Sequence, residues 1–272
     1  RPAPAAKASA KASAKARAGE GLPALLTPSG LADFCTCPKL FEFRHVGAEA
    51  EAAEASALQP RAPAGEEAMD RLLGEVLSGL YGEEPRMRTP ERAHELALEA
   101  LGRGLAGAPS DGEAQTEWLH GFLGRVASFF ELEKPDQVHC MRVSELLSLP
   151  LAEAPAESPA RFEARFPRLD VGFDEKGVSV LTSVSYRAGE APPAGRDDLR
   201  LASAAWLLLE SGEFNTESVR VQEFYLGSGA VEERSFDKED LRPVGQLVRG
   251  AREGLLRAAK DGFAPSPSAA CR

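Results

Sequence analysis

The residues best suited to chemistry lie in one stretch, residues 161–189, where a carboxylate and three polar side chains occupy two predicted strands. Asp170 lies on the first strand, and Ser183, Ser185 and Arg187 alternate along the second, so these three share one face. A carboxylate that faces polar groups across a hairpin can hold a divalent metal, which polarises a phosphodiester and activates water. The stretch therefore indicates metal-dependent phosphodiester hydrolysis.

A hairpin must position these side chains, and the alternation of apolar with polar residues predicts one. Its strands are residues 161–173 and 177–186, and the intervening Asp174-Glu175-Lys176-Gly177 has the chemistry of a tight turn. We expect Asp170 and Ser185 to lie on adjacent antiparallel strands, with both side chains on one face of the sheet.

The surrounding elements predict an α+β fold, in which a small mixed sheet is flanked by helices and preceded by a helical part. Thr27-Pro28-Ser29 predicts the start of a first helix. The spacing of apolar residues predicts further front helices at 65–81, 90–105, 112–133 and, a short one, near 142–148. After the hairpin we predict a helix at 196–211, strands at 218–225 and 230–236, and a helix at 238–260. We expect one domain over residues 22–272, helical over about 25–150 and sheet-containing over about 160–260.

Composition excludes several classes of protein. The 272 residues, 43% hydrophobic and 27% charged, are typical of a folded globular chain. No apolar run approaches the roughly 18 residues that would span a membrane, and no secretory signal is recognisable. Four cysteines do not make a disulfide scaffold, so we expect a reduced, cytoplasmic protein without membrane contact.

Charge is unevenly distributed along the chain. With 32 basic and 42 acidic residues the net charge is −10, which argues against wholesale coating of nucleic acid but permits a local basic groove. Residues 1–21 are basic and alanine-rich and contain no large apolar side chain. We predict that they form a disordered tether; the alternative is a basic arm that touches phosphates.

The order of these elements resembles the PD-(D/E)XK nuclease superfamily, in particular the RecB-like exonuclease branch fused to UvrD-type helicases. The opening helix carries that branch's pattern at Ser29, Leu31, Cys37, Pro38 and Phe41. The stretch PRLDVGFDEKGVSVLTSVSYRAG resembles its active-site hairpin, a Gly-Xaa-Xaa-Asp strand followed by an Asp-Tyr-Lys-Thr-Gly strand. VQEFYLGSGAVEERSFDKEDL resembles its later hairpin, and FAPSPSAAC resembles its Pro-rich approach to a cysteine cluster. The resemblance implies a restriction-endonuclease-like core, DNA as the substrate, Mg²⁺ or Mn²⁺ as the cofactor, and a helicase motor as partner.

The chain departs from this pattern at the positions that would do the chemistry. Asp170 retains the first acidic position, but Ser185 stands at the second and Arg187 at the lysine position. Three more positions differ: Pro167 replaces the hairpin glycine, Met69 or Asp70 the early histidine, and Arg200 to Ala204 the Gln-Xaa-Xaa-Xaa-Tyr pattern. One carboxylate without its partner is a poor Mg²⁺ site, so we expect a catalytically impaired domain. Replacing Ser185 by Asp and Arg187 by Lys is then expected to restore some activity.

Two alternatives remain open for Asp170. It is either an ordinary hairpin carboxylate bonded to Ser185 or Arg187, or a residual metal ligand. In an active site with rearranged ligands, the missing carboxylate would come from Glu163, Asp174, Glu190, Asp197 or Asp198.

Some relatives in the resembled family hold an iron–sulfur cluster through one early and three late cysteines. Here Cys35, Cys37, Cys140 and Cys271 do not follow that arrangement, and a cluster needs four thiolates. We expect buried or free thiols and no cluster.

Three functional hypotheses follow. The first is a DNA-binding or scaffolding domain of a helicase-associated repair or recombination protein, in which Arg168, Arg187, Arg196 and Arg200 hold phosphate without cutting it. The second is an active metal-dependent DNA exonuclease with rearranged ligands. The third is a protein-interaction domain without DNA contact.

Overall fold

A computed structural model describes residues 25–46, 65–103, 109, 111–151, 160–173, 177–191 and 198–265. The tether predicted at residues 1–21 lies outside these ranges, and so do Asp174, Arg196, Asp197 and Cys271. None of the helices in the described ranges is long and apolar enough to cross a membrane.

The described chain contains both helices and strands. The helices are α1 (Pro28–Thr36), α2 (Pro38–Phe41), α3 (Gly65–Gly82), α4 (Pro90–Gly102), α5 (Gly112–Leu132), α6 (Asp198–Glu210) and α7 (Lys238–Asp261). The strands are β1 (Leu25–Leu26), β2 (Cys140–Pro150), β3 (Arg161–Phe173), β4 (Ser179–Arg187), β5 (Ser218–Tyr225) and β6 (Ala230–Asp237). The five longer predicted helices are confirmed to within one turn, and both predicted strand pairs are confirmed.

The described residues divide into two compact units. The first unit contains residues 25–46, 149–151, 160–163 and 243–265. The second contains residues 65–103, 109, 111–148, 164–173, 177–191 and 198–242.

A mixed six-stranded sheet contains all of these strands. Its order is β1-β3-β4-β5-β6, and β2 pairs with β3 outside this path. β3 and β4 are antiparallel, β4 and β5 are parallel, and β5 and β6 are antiparallel. The predicted α+β class is therefore confirmed, and the arrangement is consistent with a restriction-endonuclease-like core.

Helices α3, α4 and α5 of the second unit form one apolar core with one face of the sheet. α3 packs against β4, and α4 and α5 pack against α3. One core cluster includes Leu73 and Leu77 of α3, Phe129 of α5, and Tyr186 and Phe224 of the sheet. The period-3.6 spacing of apolar residues in α3 and α5 makes this burial possible, because it places them on one side of each helix.

Residues 140–150 form a strand, so the short helix predicted near 142–148 is wrong. The apolar residues Val143, Leu146 and Leu147 suit either structure, and periodicity cannot separate them over so short a run. Pairing with β3 satisfies backbone groups that an isolated helical turn would leave unpaired. Ser144 interrupts the strand with a φ of 54°, and Arg165 donates to its carbonyl and hydroxyl oxygens.

Candidate functional site

Asp170 and Ser185 lie on opposite faces of the sheet, so the predicted shared face is wrong. A four-residue turn would pair Phe173 with Val178, whereas the structure pairs Phe173 with Ser179 and Asp170 with Thr182. Paired residues share a face and successive side chains alternate, so Ser185, three residues beyond Thr182, lies opposite Asp170. The one-residue shift in register accounts for the whole difference.

On the face that carries Ser185, the Glu223 carboxylate accepts hydrogen bonds from four described side chains. Its Oε1 accepts from Ser185 Oγ at 3.0 Å, Arg187 Nε at 3.1 Å and Arg200 Nη1 at 3.0 Å. Its Oε2 accepts from Arg200 Nη2 at 2.6 Å and from the Tyr225 hydroxyl at 2.9 Å. These five residues are called the Glu223 network below.

The strands and one helix place the network by simple geometry. β4 and β5 are parallel, and their register pairs Ser185 with Glu223 and Arg187 with Tyr225, so all four side chains share one face. Arg200 comes from the first turn of α6, which packs against β5. Alternating polar residues of two strands and one arginine from the start of a helix therefore converge on a single buried carboxylate.

Glu223 is charged at neutral pH despite its burial. Its side chain is 1% exposed, and that burial alone would raise its pKa. The hydrogen bond from Arg200 and the charges of Arg187 and Arg200 outweigh burial and lower the pKa to about 2. A carboxylate has roughly four lone-pair sites, so these donors use its acceptor capacity.

Arg187, at the end of β4, has a second acidic partner, which is Asp70 of α3. Its Oδ2 lies 3.2 Å from Arg187 Nη1, and its Oδ1 accepts from the Ala188 backbone N–H at 2.6 Å. Asp70 is one of the two residues that stand at the histidine position of the resembled family's pattern, and Arg187 stands at the lysine position of that pattern. With Glu223 and Arg200 included, two acids face two arginines, and the group is balanced in charge.

The opposite face of the sheet holds a second polar group, called the Arg168 cluster. Arg168 donates to Glu133 Oε2 at 2.6 Å and Oε1 at 2.9 Å, and to the Tyr186 hydroxyl at 3.0 Å. Its Nη2 also lies 2.9 Å from Asp170 Oδ2, and its guanidinium stacks 4.3 Å from the Tyr81 ring centre. The Tyr81 hydroxyl donates to Glu133.

Asp170 is poorly compensated within this cluster. Burial raises its pKa, and the charge of Arg168 offsets only part of that rise. Its Oδ1 is buried and accepts no hydrogen bond from the described residues. Asp170 is therefore partnered by Arg168, and neither Ser185 nor Arg187 is its partner.

Of the four arginines predicted to hold phosphate, the three that the structure describes fall into two groups on opposite faces of the sheet. Arg168 is 1% exposed and bound to two carboxylates, which leaves its guanidinium no open face for a phosphate. Arg187 and Arg200 join in the Glu223 network, with side chains 32% and 15% exposed. Arg196 lies outside the described residues.

The candidate replacement carboxylates do not gather into a site in the part of the chain that is described. Glu190 is exposed, Glu163 lies on β3, and the side chain of Asp198 is not described. Within the described ranges no three His, Cys, Asp or Glu side chains are grouped so that they could hold a metal ion. Cys35 is exposed, Cys37 buried and Cys140 half-buried, and these three described cysteines form no disulfide.

Sequence reasoning missed the two acids on which these networks depend, Glu223 and Glu133. Glu223 lies in the stretch VQEFY, where one charged residue in a predicted strand that also holds Val, Phe and Tyr could have indicated a buried ion pair. Glu133 directly follows α5 and gave no such signal.

Comparison with known proteins gives only distant structural similarity. No family model and no curated protein matches this chain. A crystal structure named "putative exonuclease" from Eubacterium rectale aligns with 99% of this chain and 93% of its own, at 9% identity and a TM-score of 0.48. The crystal structure of SSO0001 aligns over 92% and 87%, at 11% identity and a TM-score of 0.38. Values this low do not establish a shared function.

Proposed function

We propose that this chain is a nuclease-fold domain that binds DNA, or scaffolds proteins on it, in repair or recombination and does not cleave it. One observation carries the proposal. At the two family positions that would supply the second acid and the lysine, Ser185 and Arg187 both donate to the buried Glu223. Groups that would serve a metal and a phosphate in the resembled family are used here to hold the fold together.

The residues present do not fit Mg²⁺ or Mn²⁺. These ions take carboxylate oxygens, and the second acidic position is a neutral hydroxyl, with a fixed positive charge two residues farther along. Asp170, the retained acid, lies across the sheet and within 2.9 Å of Arg168. A cation there would have to displace that arginine. The donor set therefore supports an impaired nuclease.

Arg187 is the residue through which phosphate contact is proposed. Its side chain is about one-third exposed, and Asp70 and Glu223 hold its guanidinium in a fixed orientation. A rigid, partly exposed arginine loses little conformational entropy when it binds a phosphate. The two acids weaken its net attraction, so we expect modest affinity that depends strongly on salt. The helicase partner and the cytoplasmic setting belong to the same proposal. The helicase partner rests on the family resemblance, and the cytoplasmic setting rests on the low cysteine count.

The test is a gel-shift assay across a salt series, with a DNA duplex that carries a single-stranded tail. The unmodified chain is compared with Arg187→Gln and with Arg86→Gln, a matched control whose side chain is 82% exposed. We expect the logarithm of the affinity to fall linearly with the logarithm of salt concentration. Arg187→Gln should reduce that slope by about one, and the control should leave it unchanged.

The other two hypotheses are distinct outcomes of the same assay. Absence of salt-dependent binding would favour a protein-interaction domain without DNA contact. Metal-dependent cleavage that Asp170→Ala abolishes would favour an exonuclease with rearranged ligands.

A further inference from the structure

The carboxylate of Asp70, on α3, lies against two hydrogen-bond donors at the end of β4. Its Oδ1 accepts from the Ala188 backbone N–H at 2.6 Å, and its Oδ2 accepts from Arg187 Nη1 at 3.2 Å. A backbone N–H and a guanidinium N–H are also donors that bind phosphate oxygens in protein–DNA contacts. Asp70 therefore occupies a place whose donors suit an oxyanion.

The backbone segment that presents the Ala188 N–H is held in place by its neighbours. The three carbonyl groups of residues 187–189 accept hydrogen bonds from the Leu226 backbone N–H at 2.8 Å, Arg125 Nε at 2.6 Å and the Gly227 backbone N–H at 3.2 Å, in that order. A donor on a fixed backbone loses little conformational entropy when an anion binds to it. The donors around Asp70 are therefore preformed.

The charges near this segment are mixed, so they do not by themselves favour an anion. Arg125 donates to carbonyl oxygens and forms no ion pair within the described ranges. Two exposed acids are also near: Glu66, one helical turn before Asp70, lies against the segment, and Glu190 follows it. Arg187 Nη2 donates to no described residue, so one donor remains open while Asp70 is in place. The place suits an anion because of its donors, and Asp70 blocks two of them.

We propose that Asp70 holds the place of a DNA phosphate on Arg187 and the Ala188 N–H, and so limits the affinity of the chain for DNA. This inference rests on the DNA contact proposed above, and it adds to that contact a second donor and an internal competitor. When DNA binds, two oxygens of one phosphate replace the two Asp70 oxygens on these donors. The Asp70 side chain is 21% exposed, so its carboxylate can turn to water when a phosphate displaces it.

The first test compares the DNA affinity of variants of the full chain, with the tailed duplex and the gel-shift assay described above. Asp70→Ala frees both donors and should raise the affinity about tenfold at low salt. Asp70→Asn should raise it less, because the asparagine oxygen still accepts from the Ala188 N–H while the charge is gone. Since Asp70→Asn keeps that bond, it also keeps the test decisive if Asp70→Ala does not fold.

Two controls separate the freed donors from a general change in charge. Glu66→Gln removes one negative charge from the same side of α3 but frees neither donor, so the affinity should change less than about twofold. Asp70→Ala in the Arg187→Gln background should lose most of its gain, because the guanidinium that a phosphate would bind is absent. A gain of equal size in Glu66→Gln, or in the Arg187→Gln background, would overturn the inference.

The second test uses inorganic phosphate, so it does not depend on DNA binding. In Asp70→Ala, added phosphate should shift the Ala188 amide signal in ¹⁵N NMR saturably, and it should shift that signal much less in the unmodified chain. Absence of that shift would overturn the inference. If the unmodified chain binds DNA and neither Asp70 variant binds it more tightly, the inference is overturned and the proposed function stands. If no variant binds DNA, the proposed function is overturned, and a saturable shift then assigns the site to a free phosphate compound.

Discussion

Asp170 and Ser185 are on neighbouring antiparallel strands, yet their side chains leave the sheet in opposite directions. Asp170 pairs with Thr182, and Ser185 follows three residues later, an odd number that reverses the face. Each side chain then enters a different ion network, Asp170 with Arg168 and Ser185 with Glu223. The thickness of the sheet separates two positions that would share a metal in the resembled family.

The unmodified chain is expected to show no Mg²⁺- or Mn²⁺-dependent cleavage of DNA. Loss of a metal-fixing carboxylate removes several kcal/mol of transition-state stabilisation, and each 1.36 kcal/mol is about tenfold in rate. The measurement is release of labelled nucleotides from duplex and single-stranded DNA with each metal. Cleavage that disappears in Asp170→Ala would contradict this prediction.

The double change Ser185→Asp with Arg187→Lys is now expected not to restore cleavage. Both substitutions lie on the face of Glu223, and neither moves Asp170 across the sheet. The same nuclease assay with Mn²⁺ tests this expectation. Recovered activity would contradict the strand register, which places Asp170 on the face opposite Ser185 and Arg187.

Glu223→Gln is expected to lower the free energy of unfolding by about 3–5 kcal/mol at pH 7. The change leaves two arginines facing a neutral amide in a buried site, and breaking a buried ion pair from one side costs about that much. Urea denaturation followed by circular dichroism measures the loss. Glu233→Gln on β6 is the control, because its pair with Arg220 is exposed and should contribute less than about 1 kcal/mol.

The contribution of Glu223 should also depend on pH in a defined direction. Its pKa is lowered from 4.5 to about 2, so the folded chain binds this proton more weakly than the unfolded chain does. The stabilisation is therefore present above about pH 5 and is lost as the pH falls toward 2. The difference between the unmodified chain and Glu223→Gln should shrink over that window in urea titrations. A difference that stays constant would show that Glu223 acts by shape alone.

Asp170→Asn is expected to leave stability at pH 7 unchanged, or to raise it by up to about 1 kcal/mol. Burial raises the pKa of Asp170, so its charged form opposes folding as the pH rises through that pKa. Asparagine keeps the shape and removes the charge, while Arg168 keeps its two bonds to Glu133. A loss of more than about 2 kcal/mol in urea denaturation would show that the Arg168–Asp170 pair is needed.

Gly227→Ala is expected to destabilise the chain by about 1–3 kcal/mol through overpacking. An added Cβ would come within 2.6 Å of the Ala188 carbonyl oxygen and 2.7 Å of that of Gly189, both backbone atoms just beyond Arg187. Gly172→Ala is the matched control, because nothing lies within 4 Å of its Cβ position. Thermal unfolding compares the two, and equal melting temperatures would contradict the close approach.

Local chemistry in the sequence was enough to identify most elements and the fold class. The apolar spacing of residues 65–81 and 112–133 forms helices because it places one apolar stripe on each. The alternation on both sides of Gly177 forms a hairpin because that glycine adopts a φ of 76° there. These signals are contained in neighbouring residues, so they need no knowledge of the rest of the chain. The sequence also showed directly that a serine, Ser185, stands at the second acidic position of the resembled family's pattern.

Tertiary structure alone decided which side chains meet. Phe173 pairs with Ser179 and not with Val178. This register shift of one residue places Ser185 on the face opposite Asp170. Residues 142–148 became a strand because β3 was there to pair with, and not because of their own periodicity. Glu223 gained its role from Arg200, 23 residues earlier in the chain, and from Ser185, 38 residues earlier. Such contacts depend on the register of the strands and on how α6 packs against β5. The spacing of neighbouring residues in the sequence predicts neither of these.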